Sequence, residues 1–160
     1  MKHRWVTLTV KRIKLDVVVA HKAWRQAIPR LVMFTRRVLA AVSFPPDING
    51  HTLAVAYIDD AAQQQLNRQF RSKNTPTNVL SFPGDAALKH LGDISLAYET
   101  LQREAQAANV TLEAHLAHLL VHGALHLLGY DHEQDTDAAV MMQKEVEILA
   151  RLGYTDPYAA

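Results

Sequence analysis

The chain of 160 residues contains no cysteine, which excludes a disulfide framework, a thiolate metal site and a cysteine nucleophile. Long hydrophobic runs are also missing, because the apolar stretches at 38–43 and 116–120 fall far short of the ~20 residues that a membrane-spanning helix needs. Charged side chains between Lys11 and Asp16 interrupt the N-terminal region, which therefore does not predict a signal peptide. We expect a cytoplasmic protein without membrane contacts.

Charge is distributed unevenly along the chain. Residues 1–40 carry ten lysines and arginines against one acidic residue, whereas residues 41–160 carry seven against fifteen. The basic segment 1–40 can attract polyanions or be an ordinary solvated surface, and charge alone leaves both interpretations open. Length and composition predict a single domain over 1–160, in which residues 1–12 are a loosely attached basic extension.

Hydrophobic patterning predicts an α+β fold of the α/β/α type, with one mixed sheet of four or five strands covered by four or five helices. The predicted strands are 5–10, 13–20, 52–58, 78–82 and 93–97. The predicted helices cover 29–42, 59–70, 99–108, 111–128 and 136–151.

Several residues are expected to define the ends and faces of these helices. Pro29 suits the first helical position of the first helix, and Leu66 and Phe70 give the second helix an apolar face. Thr111 is a suitable N-cap and Gly129 a suitable C-terminal stop for the longest apolar helix. In the last helix we expect Val140, Val146, Leu149 and Ala150 to face inward.

Three histidines surround the end of the helix predicted over 111–128. His122 and His126 are four residues apart, so they lie on one helical face and can share an ion. Gly129 permits a positive φ, which lets the chain fold back and bring His132 toward the same point. Three neutral imidazoles with one open position are typical of a catalytic zinc site. We therefore predict His122, His126 and His132 as the ligands of one Zn²⁺ per chain.

The remaining histidines are expected to play lesser roles. His118 lies one turn before His122 and is predicted to support the ligands rather than to bind the ion. The others are predicted to be packed or solvated side chains: His3, His21, His51, His90 and His115.

The spacing also matches the zinc-protease signature H-E-x-x-H-x-x-G-x-x-H at every position but one. Gly123 stands where the protease has its glutamate base, and glycine cannot accept a proton from water. The metal pattern is thus retained, while peptidase chemistry is disfavoured. An ion held by neutral ligands keeps its full charge, which suits an anionic substrate. Arg71, which precedes the predicted strand 78–82, can contact a phosphate through its guanidinium fork or be an ordinary exposed arginine.

Two segments together resemble the YbeY family of bacterial single-strand-specific endoribonucleases, also called rRNA maturation factors. The first segment reads F-R-x-K-x-x-P-T-N-V-L-S-F-P over residues 70–83, followed by L-G-D-I at 91–94. The second is the histidine block over 113–132, and the C-terminal L-G-Y-T-D-P-Y at 152–158 is also similar to the family. The resemblance covers about residues 50–158, whereas residues 1–40 match only loosely.

This resemblance implies a zincin-like fold with a metal site at the end of a central helix. It implies hydrolysis of single-stranded RNA, with roles in 3′-end maturation of 16S rRNA on the small ribosomal subunit and in ribosome quality control. The family's functional arginine falls on Arg71, and Lys73 is a further candidate RNA contact. Asp131 is expected to orient a ligand imidazole or to be a plain loop acid. We expect a monomer.

Two alternatives stay open at this point. The chain can be a non-catalytic ribosome-assembly factor with a structural zinc, or, against the evidence of Gly123, a metalloprotease or amidase. Metal analysis combined with RNA-cleavage and casein-turnover assays separates the three possibilities.

Overall fold

A computed structural model of the protein describes residues 3–71, 77–131 and 133–159, in which five strands form one mixed sheet. The strands are β1 Trp5–Val10, β2 Ile13–Val19, β3 Thr52–Ile58, β4 Val79–Pro83 and β5 His90–Ala97. Their order is β1-β2-β3-β5-β4, with parallel pairing of β3 to β2 and β5 and antiparallel pairing at both edges. The predicted single mixed sheet and the α+β class are confirmed.

Six α-helices accompany the sheet in the described ranges, against a prediction of four or five. They are α1 Ala23–Ala27, α2 Leu31–Ala40, α3 Asp60–Arg71, α4 Tyr98–Ala108, α5 Leu112–Leu127 and α6 Asp135–Arg151. The short α1 was not predicted. Pro29 is not the first residue of α2 as expected, because Arg30, with φ −102° and ψ 41°, still lies outside the helical region. None of the described helices is long and apolar enough to cross a bilayer.

One face of the sheet carries the main core. Leu53, Val55 and Tyr57 alternate along β3 and are fully buried on this face, as expected for a central strand. Helix α5 packs on β4 and β5 and is itself contacted by α2, α4 and α6. This central position explains why α5 is apolar around most of its circumference, and it fixes the C-terminal end of α5 beside β4.

The other face of the sheet is partly covered by α3, and here one expectation was wrong. The buried side chains of α3 are Gln63 and Asn67, whereas Phe70 is 59% exposed. Gln63 is buried because it is hydrogen-bonded to Ser95: the Ser95 hydroxyl donates to Oε1 at 2.6 Å, and Nε2 donates to the Ser95 carbonyl at 3.1 Å. The Leu66 and Phe70 side of α3 therefore faces an open groove.

The inward face of α6 also differs from the predicted one. Val140 is 52% exposed and Ala150 is exposed, whereas Met141, Glu145, Ile148 and Leu149 are buried. Leu149 is the one predicted inward residue that is fully buried. The inward stripe thus includes a glutamate, for which the contacts with α5 described below give the reason.

Candidate functional site

Both ends of α5 have the capping residues that the sequence predicted, and the C-terminal end lies next to His126. Thr111 Oγ1 accepts a hydrogen bond from the Ala114 amide at 3.1 Å, so the predicted N-cap is confirmed. At the other end, Gly129 has φ +98°, and the Tyr130 amide donates to the Leu125 carbonyl at 3.0 Å. This is a Schellman motif with glycine at C′, as the sequence predicted.

His122 and His126 point toward one another across one turn of α5. Their Nε2 atoms are 3.1 Å apart. Two nitrogens that bind one tetrahedral Zn²⁺ at 2.0–2.1 Å are separated by about 3.3 Å, so this pair is nearly in the geometry for a shared ion. Nδ1 of His126 lies 3.1 Å from the Tyr130 carbonyl, an acceptor that keeps the proton on Nδ1 and the lone pair on Nε2. The cap after α5 thus also orients this histidine.

Glu145 on α6 orients His122 in a similar way, by accepting the hydrogen bond from its Nδ1 atom. The sequence did not lead us to predict this residue. His122 Nδ1 lies 2.6 Å from Glu145 Oε1, and the Tyr158 hydroxyl donates to Oε2 at 2.5 Å. Burial opposes ionisation of this carboxyl, but hydrogen bonds from His118, His122 and Tyr158 outweigh it and lower the pKa of Glu145 to about 2. The carboxylate is therefore charged and accepts the Nδ1 proton of His122.

A signal for Glu145 does exist in the sequence. Met141, Glu145, Ile148 and Leu149 are spaced as one helical face, with a single acid among apolar residues. A buried carboxylate needs a partner, and the neighbouring helix is rich in histidine. Hydrophobic patterning treated the acid as a surface residue, which shifted the expected inward face toward Val140.

His118 belongs to the same hydrogen-bonded group. Its Nε2 lies 3.1 Å from the Tyr158 hydroxyl and 3.5 Å from Glu145 Oε1. Burial and the Glu145 carboxylate both raise the pKa of Tyr158, so its hydroxyl keeps its proton. Among the other histidines, Nε2 of His115 lies 2.8 Å from Glu104 Oε1, and its ring centre lies 6.4 Å from that of His118.

A cleft of about 900 Å³ is lined by His122, by His126 and by the predicted phosphate contact. Arg71, at the end of α3, lies in its wall, and so do Asp131 and Glu133. The remaining lining side chains are mostly contributed by β4 and the turn after α5: Asn67, Thr77, Asn78, Val79, Leu80, Ser81, Pro83, Leu127, Gly129 and Tyr130. Described residues from both of the segments that the sequence singled out, 70–83 and 113–132, thus line one cavity.

Arg71 is held in the wall of the cleft by β4. Its NH2 group donates to the Ser81 carbonyl at 2.5 Å, and its guanidinium lies 5.3 Å from the centre of the Phe82 ring. A guanidinium has five N–H donors in a planar fork, so these contacts orient the group without using up its donors.

Two predicted site residues, His132 and Lys73, lie outside the described ranges. Within those ranges, no group of three or more histidine, cysteine, aspartate or glutamate side chains is placed to hold a metal. Two histidine nitrogens therefore converge in the described part of the chain, and the third predicted ligand remains a prediction.

Gly123 lies where α5 packs most closely against the sheet. A Cβ atom at this position would lie 3.0 Å from Ser81 Oγ and 3.2 Å from Ile94 Cδ1. The Ser81 and Ile94 side chains would have to shift by a few tenths of an ångström to admit that Cβ, so this packing disfavours the glutamate of the protease signature.

Comparisons with known proteins agree with this arrangement. The family model described as "Endoribonuclease YbeY" matches residues 13–153. Proteins named "Endoribonuclease YbeY" from Bradyrhizobium sp. and Stenotrophomonas maltophilia are 42% and 43% identical to this chain. The alignments cover 90% and 92% of this chain and 91% and 95% of those proteins.

A solved structure is similar as well. The solution structure of TM1509 from Thermotoga maritima matches with a TM-score of 0.57 at 24% identity, covering 92% of this chain and 99% of that one. At this identity the match supports the fold. From the family model and the relatives, this chain belongs to the endoribonuclease YbeY family.

Proposed function

We propose that the protein is a zinc-dependent endoribonuclease that hydrolyses single-stranded RNA. The observation that carries this proposal is the pairing of His122 and His126, whose Nε2 atoms lie 3.1 Å apart, in a cleft that Arg71 also lines. Membership of a family whose proteins are named endoribonucleases supports the RNA substrate.

The residues present fit a zinc ion. His122 and His126 would bind it through Nε2, and we propose His132 as the third ligand, with one ion per chain. When bound, the ion supplies Lewis-acid charge that stabilises phosphoryl oxygens and makes water more acidic. Glu145 and the Tyr130 carbonyl hold the Nδ1 protons of the two described histidines, which keeps both rings in the ligating tautomer.

Arg71 is the proposed phosphate contact. The Ser81 carbonyl and the Phe82 ring hold its guanidinium at the cleft, so its remaining donors can form hydrogen bonds to two phosphate oxygens. As negative charge develops on those oxygens during phosphodiester hydrolysis, a positioned guanidinium stabilises it without reorganisation. Lys73 is proposed to add a further backbone contact, and Asp131 and His118 are proposed to support the ligand imidazoles.

The biological substrate is proposed from the family resemblance. Single-stranded RNA at the 3′ end of 16S rRNA, on the small ribosomal subunit, is the proposed target of a cytoplasmic, monomeric enzyme. The motifs over 70–83 and 113–132, each of which contributes described residues to the same cleft, support this assignment.

Zinc analysis and RNA cleavage by four proteins test the proposal. We expect the wild type to contain one zinc and to cut a single-stranded RNA oligonucleotide. His126→Ala is expected to lose both, whereas Arg71→Gln keeps the zinc and loses at least ~100-fold in cleavage rate. His51→Ala, outside the cleft, is the control and should behave as wild type. Cleavage by His126→Ala without zinc would disprove the mechanism.

Two other outcomes would identify the alternatives. A zinc-loaded protein that binds RNA but never cuts it would be an assembly factor with a structural metal. Casein turnover would indicate a protease, which the close packing around Gly123 argues against.

A further inference from the structure

The open face of the sheet carries an aromatic groove that is distinct from the histidine cleft. It has a volume of about 290 Å³ and is lined principally by Trp5, Ala54, Ala56, Phe70, Phe82 and Asp93. We propose that this groove binds one unpaired nucleobase of the RNA, with preference for a base that carries an exocyclic amino group. The proposal rests on the proposed ribonuclease function and extends it to base selection.

The shape of the groove suits a flat ring. Ala54 and Ala56 form the floor at the centre of the sheet, where larger side chains would fill the space. Trp5 lies in the wall on the β1 side, and Phe70 and Phe82 lie in the wall on the β4 side, where their ring centres are 5.6 Å apart. Its volume is at the small end for ligand pockets, so it fits a single base rather than a larger ligand.

Aromatic rings that remain exposed also indicate a ligand. Trp5 is 50% exposed and Phe70 is 59% exposed on this open face. Proteins that bind single-stranded RNA stack unpaired bases on such rings.

The groove and the proposed phosphate site lie on opposite sides of the edge strand β4. Along β4, Ser81 and Pro83 line the histidine cleft, whereas Phe82 between them lines the groove. In the same way, Arg71 lines the cleft and the preceding Phe70 lines the groove. An RNA strand with one phosphate at Arg71 can therefore place an adjacent base on the other side of β4.

Asp93 gives the groove a chemical preference. Its side chain is 51% exposed, and His90 Nε2 lies 3.1 Å from Oδ1. A carboxylate has about four lone-pair sites, so it can accept further hydrogen bonds. It repels phosphate but accepts from the amino groups of cytosine, adenine or guanine, which uracil lacks. The same charge disfavours an apolar side chain of a partner protein as the occupant.

Binding of single-stranded RNA octamers to the zinc-loaded protein tests the proposal, with Trp5 fluorescence as the readout. The only other tryptophan, Trp24, is fully buried and should not respond. Because the wild type is expected to cut plain RNA, the octamers carry a cleavage-resistant 2′-O-methyl, phosphorothioate backbone, and gel analysis confirms that they stay intact. An octamer with uracil at every position is compared with octamers that carry one cytosine or one guanine. We expect the substituted octamers to bind about tenfold more tightly and to quench Trp5.

Three variants test whether the base preference arises in the groove. Ala56→Ile fills the floor of the groove with a side chain that strands favour and should bind all octamers equally weakly. Asp93→Asn should still quench Trp5 but lose the preference over uridine. Thr9→Ile, on exposed strand β1 outside the groove lining, is the matched control and should behave as wild type.

Unchanged base preference in Ala56→Ile, or equal wild-type affinity for all octamers, would overturn the proposal. Unchanged base preference in Ala56→Ile would show that the base does not bind in the groove, and a protein partner would then be the favoured occupant. Because binding is read without cleavage, a wild-type protein that binds selectively but does not cut would refute the proposed nuclease function and leave the base site standing.

Discussion

His122 Nδ1 lies 2.6 Å from Glu145 Oε1, a contact that joins the histidine-bearing helix α5 to α6. Glu145 is completely buried, and its other oxygen accepts from Tyr158, so the C-terminal segment also takes part in orienting His122. A charged acceptor on Nδ1 fixes the tautomer and increases the basicity of Nε2. The orientation of His122 thus depends on residues far along the chain.

Replacing Glu145 by glutamine is therefore expected to weaken zinc binding about 10- to 100-fold, since a neutral amide is a poorer acceptor for the Nδ1 proton. Competition with a chromogenic chelator measures the affinity, and circular dichroism checks the fold. Glu147→Gln, at an exposed position on the same helix, is the control and should bind zinc normally. Wild-type affinity in Glu145→Gln would show that this contact does not support the metal site.

Interactions between residues close together in the chain were predicted from the sequence, whereas interactions between distant segments were not. Thr111, Gly129 and the spacing of His122 and His126 act within one helix, and local rules located them correctly. Glu145 was not predicted because its role depends on which face of α6 packs against α5. Hydrophobic periodicity locates that face with an uncertainty of about one residue.

The open groove was missed for a related reason. Periodicity assumes that the apolar face of a helix is the buried one, and in α3 the pairing of Gln63 with Ser95 reverses this. The positions of the five strands, by contrast, follow from local apolar patterns and turn residues, so the strands were predicted more reliably than the helix faces.

Gly129→Ala should affect both stability and zinc binding. Gly129 has φ +98° and no atom near the position of an added Cβ, so the cost is backbone strain, about 1–2 kcal/mol of unfolding free energy. Gly50, with φ +81° and equally open surroundings, is a matched control far along the chain. We expect similar losses of stability in urea unfolding, but weaker zinc binding only in Gly129→Ala, because Tyr130 orients His126. Equal zinc affinity in the two variants would contradict this coupling.

Tyr57 should make stability sensitive to alkaline pH. Thr35 Oγ1 donates to the Leu31 carbonyl, so the Tyr57 hydroxyl is the donor in its 2.6 Å bond to Thr35. Burial raises the pKa of Tyr57 well above its ordinary value of 10.0. The unfolded chain therefore releases this proton first, and stability that is complete below about pH 10 falls as the pH rises further.

Tyr57→Phe tests this assignment. The variant should be about 1 kcal/mol less stable at pH 7, since it loses a hydrogen bond, yet lose less stability between pH 10 and 11. Urea unfolding followed by fluorescence of Trp24, whose ring centre is 4.9 Å from that of Tyr57, measures both values. The same pH slope in the two proteins would show that another group is responsible.

Gly123→Glu would complete the protease signature, and it is expected to destabilise the protein rather than create a peptidase. The added Cβ would lie 3.0 Å from Ser81 Oγ and 3.2 Å from Ile94 Cδ1, distances at which these two side chains must shift by a few tenths of an ångström. Overpacking of this kind costs about 1–3 kcal/mol, more than the ~1 kcal/mol that removing a helical glycine returns. Ser81→Ala removes the nearer contact, so the double variant should recover part of the loss in urea unfolding. A stable Gly123→Glu protein that turns over casein would show that α5 has room for a general base, and that the choice of RNA over peptide depends on this one residue.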